Sequence, residues 1–241
     1  MKYNHVVFVG LLCINCIFQS CKKDPVPGIQ MQLNIVHASA GTASIDLLQN
    51  LRTIGTYNYI TGFTTAANYV NVDSGFNNYR LQLGPTQLAN WFFSNDGSRF
   101  SFFLFDTATT DKLKYFFVED KIDTTGLGKQ SKIRLIQLSP DADSLKLLTN
   151  HPVNAGVDSV VIGSKPYAGK VNQADLLTSG AFQNFYADST VNIKLWSSAT
   201  NSIVKQYQFQ FAKGVVYSLV AKGYRGKNNA DSLSLSIIKH N

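Results

Sequence analysis

From residue 30 to the C terminus the chain is patterned in twos. Tyr207, Phe209 and Phe211 alternate with Gln208 and Gln210, and Leu233, Leu235 and Ile237 alternate with Ser232, Ser234 and Ser236. Alternation of this kind marks a strand with one face buried, because successive side chains point to opposite sides of a sheet. The same reading predicts strands near 31–37, 43–48, 67–72, 77–83 and 190–197. Asp96-Gly97 and Lys213-Gly214 sit between apolar runs and predict hairpins, since glycine takes the positive φ that tight turns need. Helix is expected only as a turn or two at Pro85–Trp91 and Ala174–Thr178. About seven short strands per roughly 100 residues, broken by frequent turns, predict an all-β fold of antiparallel β-sandwiches.

The pattern occurs twice. LNIVHASAGTASIDLL (33–48) aligns with IRLIQLSPDADSLKLL (133–148), pairing Leu33 with Ile133, Ser39 with Ser139 and Leu47-Leu48 with Leu147-Leu148. WFFSNDGSRFSFFLF (91–105) aligns with YQFQFAKGVVYSLVA (207–221), and LKYFFVED (113–120) with LSLSIIKH (233–240). A longer insertion separates the parts of the second copy. Two tandem domains follow, 30–128 and 132–241, joined through Thr124-Thr125-Gly126-Leu127-Gly128-Lys129. So short a join predicts two domains packed on each other.

The start of the chain is patterned differently. Val6–Phe18 is a short apolar run behind Lys2, and Ser20 precedes Cys21. A membrane-spanning helix needs about 20 apolar residues, whereas a signal h-region needs roughly 7–15. Residues 1–20 therefore read as a lipoprotein signal peptide, with Cys21 as the lipid attachment site and 21–29, containing Pro25, Pro27 and Gly28, as a tether. Phe18 and Gln19 depart from the usual processing box; the alternatives are an ordinary cleaved signal and an uncleaved anchor. Cys13 and Cys16 form a C-x-x-C inside the segment that processing removes, so Cys21 is the one cysteine expected in the mature chain. Lys22-Lys23-Asp24 resembles the charged tags that direct lipoproteins outward, so the expected location is the bacterial cell envelope, at the outer membrane and facing outward.

Composition refines this picture. Glu119 is the sole glutamate among 15 acidic residues, and the chain is 12% aromatic, a balance that suits sheets better than helices. The formal charge of +7 becomes +6 once Lys2 is removed. Its basic residues are scattered, so nucleic acid is not an expected partner, while acidic glycans and anionic headgroups remain open.

The opening IRLIQLSPDADSLKLL, with its turn Ser139-Pro140-Asp141-Ala142, resembles a bacterial extracellular domain family known as domain-of-unknown-function family 4397. The first copy keeps Ser39 but has His37-Ala38-Ser39-Ala40-Gly41-Thr42 in place of the proline and aspartate. The resemblance implies tandem immunoglobulin-like sandwiches on secreted or lipid-anchored proteins, and it supplies no catalytic residues.

Candidate chemistry is sparse. Asp141 reads as a turn cap, with calcium ligation by Asp141 and Asp143 as the alternative. Glu119-Asp120 is the one adjacent acid pair, and strand neighbours point to opposite faces. No H-E-x-x-H, G-x-S-x-G or phosphate-binding glycine loop occurs. His37, His151 and His240 read as turn or surface histidines, with a triad assembled across the fold as the alternative. Trp91, Trp196, Tyr57, Tyr59 and Tyr69 read mainly as core, or else as a sugar-stacking platform. The insertion Val157–Tyr186, with Gly163, Pro166, Gly169 and Gly180, is the best candidate for a binding loop. The expectation is a non-catalytic, lipid-anchored binding or adhesion module for a protein or glycan partner, without cofactor or metal. The alternatives are a structural subunit of a surface complex and a hydrolase with an unrecognised site.

Overall fold

The computed structural model describes residues 30–241 except 43, 74, 96–97, 108–112, 151–156, 173–174 and 176–179. The signal segment, the tether, Cys21 and His151 lie outside the described residues. Seventeen strands are present among the described residues. The first half holds β1 (Met31–His37), β2 (Ser44–Gln49), β3 (Arg52–Asn58), β4 (Thr64–Ala66), β5 (Tyr69–Val72), β6 (Gly75–Leu83), β7 (Thr86–Asn95), β8 (Arg99–Phe105) and β9 (Lys114–Glu119). The second holds β10 (Gln130–Gln137), β11 (Leu145–Thr149), β12 (Ser159–Lys165), β13 (Gln183–Tyr186), β14 (Thr190–Ser197), β15 (Ser202–Gln210), β16 (Val216–Lys222) and β17 (Ser234–Lys239).

Each half is a sandwich. Sheet β5-β1-β8-β9 covers sheet β3-β2-β6-β7, and sheet β13-β10-β16-β17 covers sheet β12-β11-β14-β15. Alternation decides what lies between them: Leu33, Leu47, Leu81 and Phe102 fill the first core, and Ile133, Leu147, Leu195 and Leu219 the second, all at 2% exposure or less. Matching register positions hold matching residues. Leu33 faces Phe100 where Ile133 faces Tyr217, and Leu47 faces Leu81 where Leu147 faces Leu195.

Three expectations are corrected. Lys213-Gly214 does turn the chain, with Gly214 at φ +70°, but not as a hairpin, because β15 before it and β16 after it lie in opposite sheets of the sandwich. Pro85–Trp91 is not a helical turn, because residues 86–95 form β7, whose Trp91 pairs with Tyr79 on β6 and stacks in the core. Tertiary packing overrides the weak local preference there. Ala174–Thr178 falls almost entirely outside the described residues. The sheets are also not wholly antiparallel. β1 and β8 run parallel, as do β10 and β16, because the chain between them visits the other sheet and no hairpin ties their directions.

The two sandwiches share a third core. Val36, Phe103, Phe116 and Val118 on the outer side of one inner sheet meet Ile136, Val220 and Ile238 on the outer side of the other. β4, which belongs by sequence to the first half, crosses over and pairs in parallel with β17. The Ile237 N–H donates to the Phe63 carbonyl at 2.6 Å, and the Ala67 N–H to that of Lys239 at 2.7 Å. The result is four stacked sheets around three apolar layers.

Candidate functional site

The most concentrated polar chemistry lies between the two inner sheets. Asp120, after β9, is bound by the Arg134 guanidinium at 2.5 Å, the Ser101 hydroxyl at 2.7 Å and the Tyr69 hydroxyl at 2.7 Å. Arg134 Nε donates to Ser218 Oγ at 2.6 Å, and the Asn34 amide donates to Ser101 at 3.1 Å. His240 closes the circuit, with Nε2 2.7 Å from Ser218 Oγ and Nδ1 2.7 Å from Tyr69 OH.

One proton arrangement satisfies all of these contacts. Tyr69 gives its only proton to Asp120, so it accepts from His240 Nδ1–H. Nε2 is then bare and accepts from Ser218. Histidine is held neutral: burial pushes its pKa down to about 4, the Asp120 charge only partly opposing this. Burial, with the Asp120 carboxylate beside it, pushes the Tyr69 phenol far up. Both ends of the Arg134–Asp120 pair have side-chain exposure of 0%. The guanidinium carbon lies 4.3 Å from the Phe182 ring centroid.

These residues come from equivalent register positions of the two sandwiches. Asn34 corresponds to Arg134, Ser101 to Ser218, and Asp120 to His240. Ser218, His240 and Asp120 thus assemble the residue types of a hydrolytic triad. Ser218 is fully buried and already bonded to Arg134, so no substrate carbonyl reaches it.

The other singled-out residues scatter. His37 is 1% exposed; its Nδ1 accepts the Ser39 N–H at 3.2 Å, and burial lowers its pKa to about 4. Gln137, at the equivalent position, does the same for the Ser139 N–H at 2.8 Å. Asp141 accepts the N–H groups of Arg225 at 2.7 Å and Gly226 at 3.1 Å, which is a cap rather than a cation site. From the same loop Asp231 reaches across to the Gly41 N–H at 3.0 Å. Gly223 permits this loop: its φ is +79°, and an added Cβ would lie 2.4 Å from the Ser232 carbonyl. Among the described residues no three His, Cys, Asp or Glu side chains cluster as a metal site.

The aromatic residues named from the sequence do not converge. Trp91 stacks on Phe102 at 4.8 Å inside the first core, which Tyr57 also joins. Tyr59 lies under the Lys222 ammonium at 4.6 Å, and Tyr69 belongs to the interface circuit. Only Trp196 is on an outer face, with the Lys146 ammonium 4.4 Å from its ring centroid. Sequence reasoning missed the pair that is most exposed. Phe76 on β6 and Phe92 on β7 are 73% and 60% exposed and stack at 5.1 Å with an interplanar angle of 2°. Their signal was an apolar residue on the polar phase of the alternation.

The insertion divides between two tasks. Tyr167 and Ala168 are buried against the first sandwich, and the Tyr167 hydroxyl donates to Asp106 at 2.8 Å. Gly180–Phe182 instead help to line a cleft of about 420 Å³ with Val118, Glu119, Lys121 and Lys132.

A family model, the domain of unknown function DUF4397, matches residues 31–148. Over these residues the chain belongs to that family. The DUF4397 match takes in the whole first sandwich and runs on to β11 of the second. Two solved structures from Bacteroides ovatus are similar to the chain at 10% identity. One is described as a candidate adhesin; the match covers 92% of this chain and 98% of that one, with a TM-score of 0.26. The other is described as a candidate cell adhesion protein; it covers 86% and 94%, with a TM-score of 0.23. No curated protein matches the chain. No helix among the described residues is long and apolar enough to cross a membrane.

Proposed function

We propose that this DUF4397 chain is a non-catalytic binding or adhesion module of the bacterial cell envelope, tethered through lipid on Cys21 and recognising a protein or glycan partner. The observation that carries the reading is the Phe76–Phe92 pair. Hydrogen-bonded strands hold two large apolar rings out in water, a cost without return unless something docks on them. The sealed state of Ser218 and His240 supports the non-catalytic part. The anchor rests on the apolar run Val6–Phe18 ending at Ser20-Cys21. A second reading, a structural subunit of a surface complex, is favoured by the crossing of β4, which makes a stiff spacer of the two sandwiches.

The test is a screen of residues 24–241, which contain every described strand, against matrix proteins and glycans, with the Phe76→Ser, Phe92→Ser double variant alongside. Saturable binding that the variant loses supports the module. Binding to none of them counts against it and leaves the spacer. For the anchor, metabolic labelling with a fatty acid is expected on the parent chain and absent from Cys21→Ala; label that persists overturns it.

A further inference from the structure

The outer face of the second sandwich carries a different arrangement. Ile193 and Leu195 point inward with 0% exposure, so alternation turns Asn192, Lys194 and Trp196 outward. On β15, Tyr207 and Phe209 pack on the core while Gln206, Gln208 and Gln210 are exposed. Asn192 sits opposite Gln208, Lys194 opposite Gln206, and Trp196 opposite Lys146. None of the three glutamine side chains has a hydrogen-bond partner among the described residues, and strand propensity favours β-branched residues at such positions. Folding therefore does not account for this row of amides.

The charges on the face are unevenly matched. Both carboxylate oxygens of Asp158 hold Lys194 at 2.8 Å. Lys146, half-buried, forms no ion pair among the described residues; its ammonium rests on the Trp196 ring, a weaker contact than an ion pair would give. A carboxylate or sulfate would draw it away through a charge-assisted hydrogen bond and uncover the ring. The neighbouring amides both donate and accept, as sugar hydroxyls do, and recur about every 7 Å along the strand. An aromatic ring, a free ammonium and a ladder of amides together suit one class of ligand.

We propose that the outer face of β11, β14 and β15 binds an acidic glycan, with a sugar ring on Trp196, its carboxylate or sulfate on Lys146, and hydroxyls on Asn192, Gln206 and Gln208. A protein partner would favour an apolar, charge-poor centre, and a nucleic acid would need more unpaired cations than Lys146 and the exposed Lys205. The proposal deepens the binding-module reading but does not depend on Phe76 and Phe92.

Affinity electrophoresis of the full chain through gels containing polygalacturonate, chondroitin sulfate or neutral dextran tests it, with tryptophan fluorescence as a second readout. Retardation is expected in at least one acidic gel and not in dextran, weakening as salt rises from about 0.05 to about 0.5 M. Trp196→Ala should weaken it about tenfold or more. Lys146→Gln should weaken it less and flatten its salt dependence, and ligand should quench the parent chain but not Trp196→Phe. Gln208→Glu, which alters charge without touching the core, should also weaken it. Equal retardation by dextran overturns the proposal, as does no retardation in any gel, or unchanged retardation of a Trp196→Ala variant that melts like the parent. Loss only in the Phe76→Ser, Phe92→Ser variant also overturns it and moves the site to the first sandwich. Capture of a matrix protein by a chain that no acidic gel retards would leave the broader binding reading standing and this one refuted.

Discussion

The two sandwiches agree where they face inward and part where they face water. Leu33 and Ile133, Leu47 and Leu147, and Leu81 and Leu195 are interchangeable core residues at matching register. On the outer faces the same register gives Phe76 against Thr190, Phe92 against Gln208, Asp46 against Lys146, and Gln82 against Trp196. The inner sheets lie between these extremes. Their equivalent positions join one hydrogen-bonded circuit, but with Asp120 where the other half has His240 and Asn34 where it has Arg134. Packing constrains the core to apolar volume. The shared interface requires complementarity, so the two halves diverge in a coordinated way. The outer faces answer to neither demand and are free to specialise.

The largest expected effect tests the interface. Asp120→Ala leaves Arg134 buried without its carboxylate and should cost about 3–5 kcal/mol by urea denaturation. A loss under about 1 kcal/mol would mean that the circuit does not join the halves. Leu47→Ala and Leu147→Ala probe the agreement of the cores; each should cost about 2–5 kcal/mol, and similar losses are expected because both are fully buried at matching places. If one is tolerated, the cores are less alike than their register.

Acid should separate the interface from the cores. His240 and His37 keep pKa values near 4, against 6.5 for the unfolded chain. Between pH 6.5 and about 4 the unfolded chain takes up protons that the folded chain refuses, so stability falls as pH falls, by up to about 3 kcal/mol per histidine. Urea midpoints across that window check this, and His240→Gln should remove its share of the slope. A flat profile would show that His240 is not held neutral. The smallest effects belong to the outer faces. Phe76→Ser and Phe92→Ser should each change stability by less than about 1 kcal/mol. Moving the pair to the other sandwich, as Thr190→Phe with Gln208→Phe, should likewise be tolerated, with dye binding showing the new apolar patch. A large loss of stability from either change would make those faces structural.

Much of the fold was legible. Alternation in 207–211 and 233–237 marked strands, and the aligned openings at Leu33 and Ile133 fell at the same register. Pro85–Trp91 misled because local preference there is weak and the partner strand β6 decides the outcome. The interface circuit was invisible for a related reason. Tyr69 and His240 are far from Asp120 and Arg134 in the chain, and nothing in the sequence says that these four meet until the two inner sheets close on them.

What the sequence determined by itself was the set of half-buried strands, because a period of two is a property of neighbours along the chain. It also determined the turn at Ser139–Ala142, whose proline fixes its own backbone, whereas the N–H groups that Asp141 caps belong to Arg225 and Gly226, far along the chain. Only the tertiary structure decided which faces became core, which became interface and which stayed in water. A strand's alternation says that one face is buried but not what will cover it. That depended on β4 crossing to β17 and on four sheets stacking in one order, contacts made between residues that the chain keeps far apart.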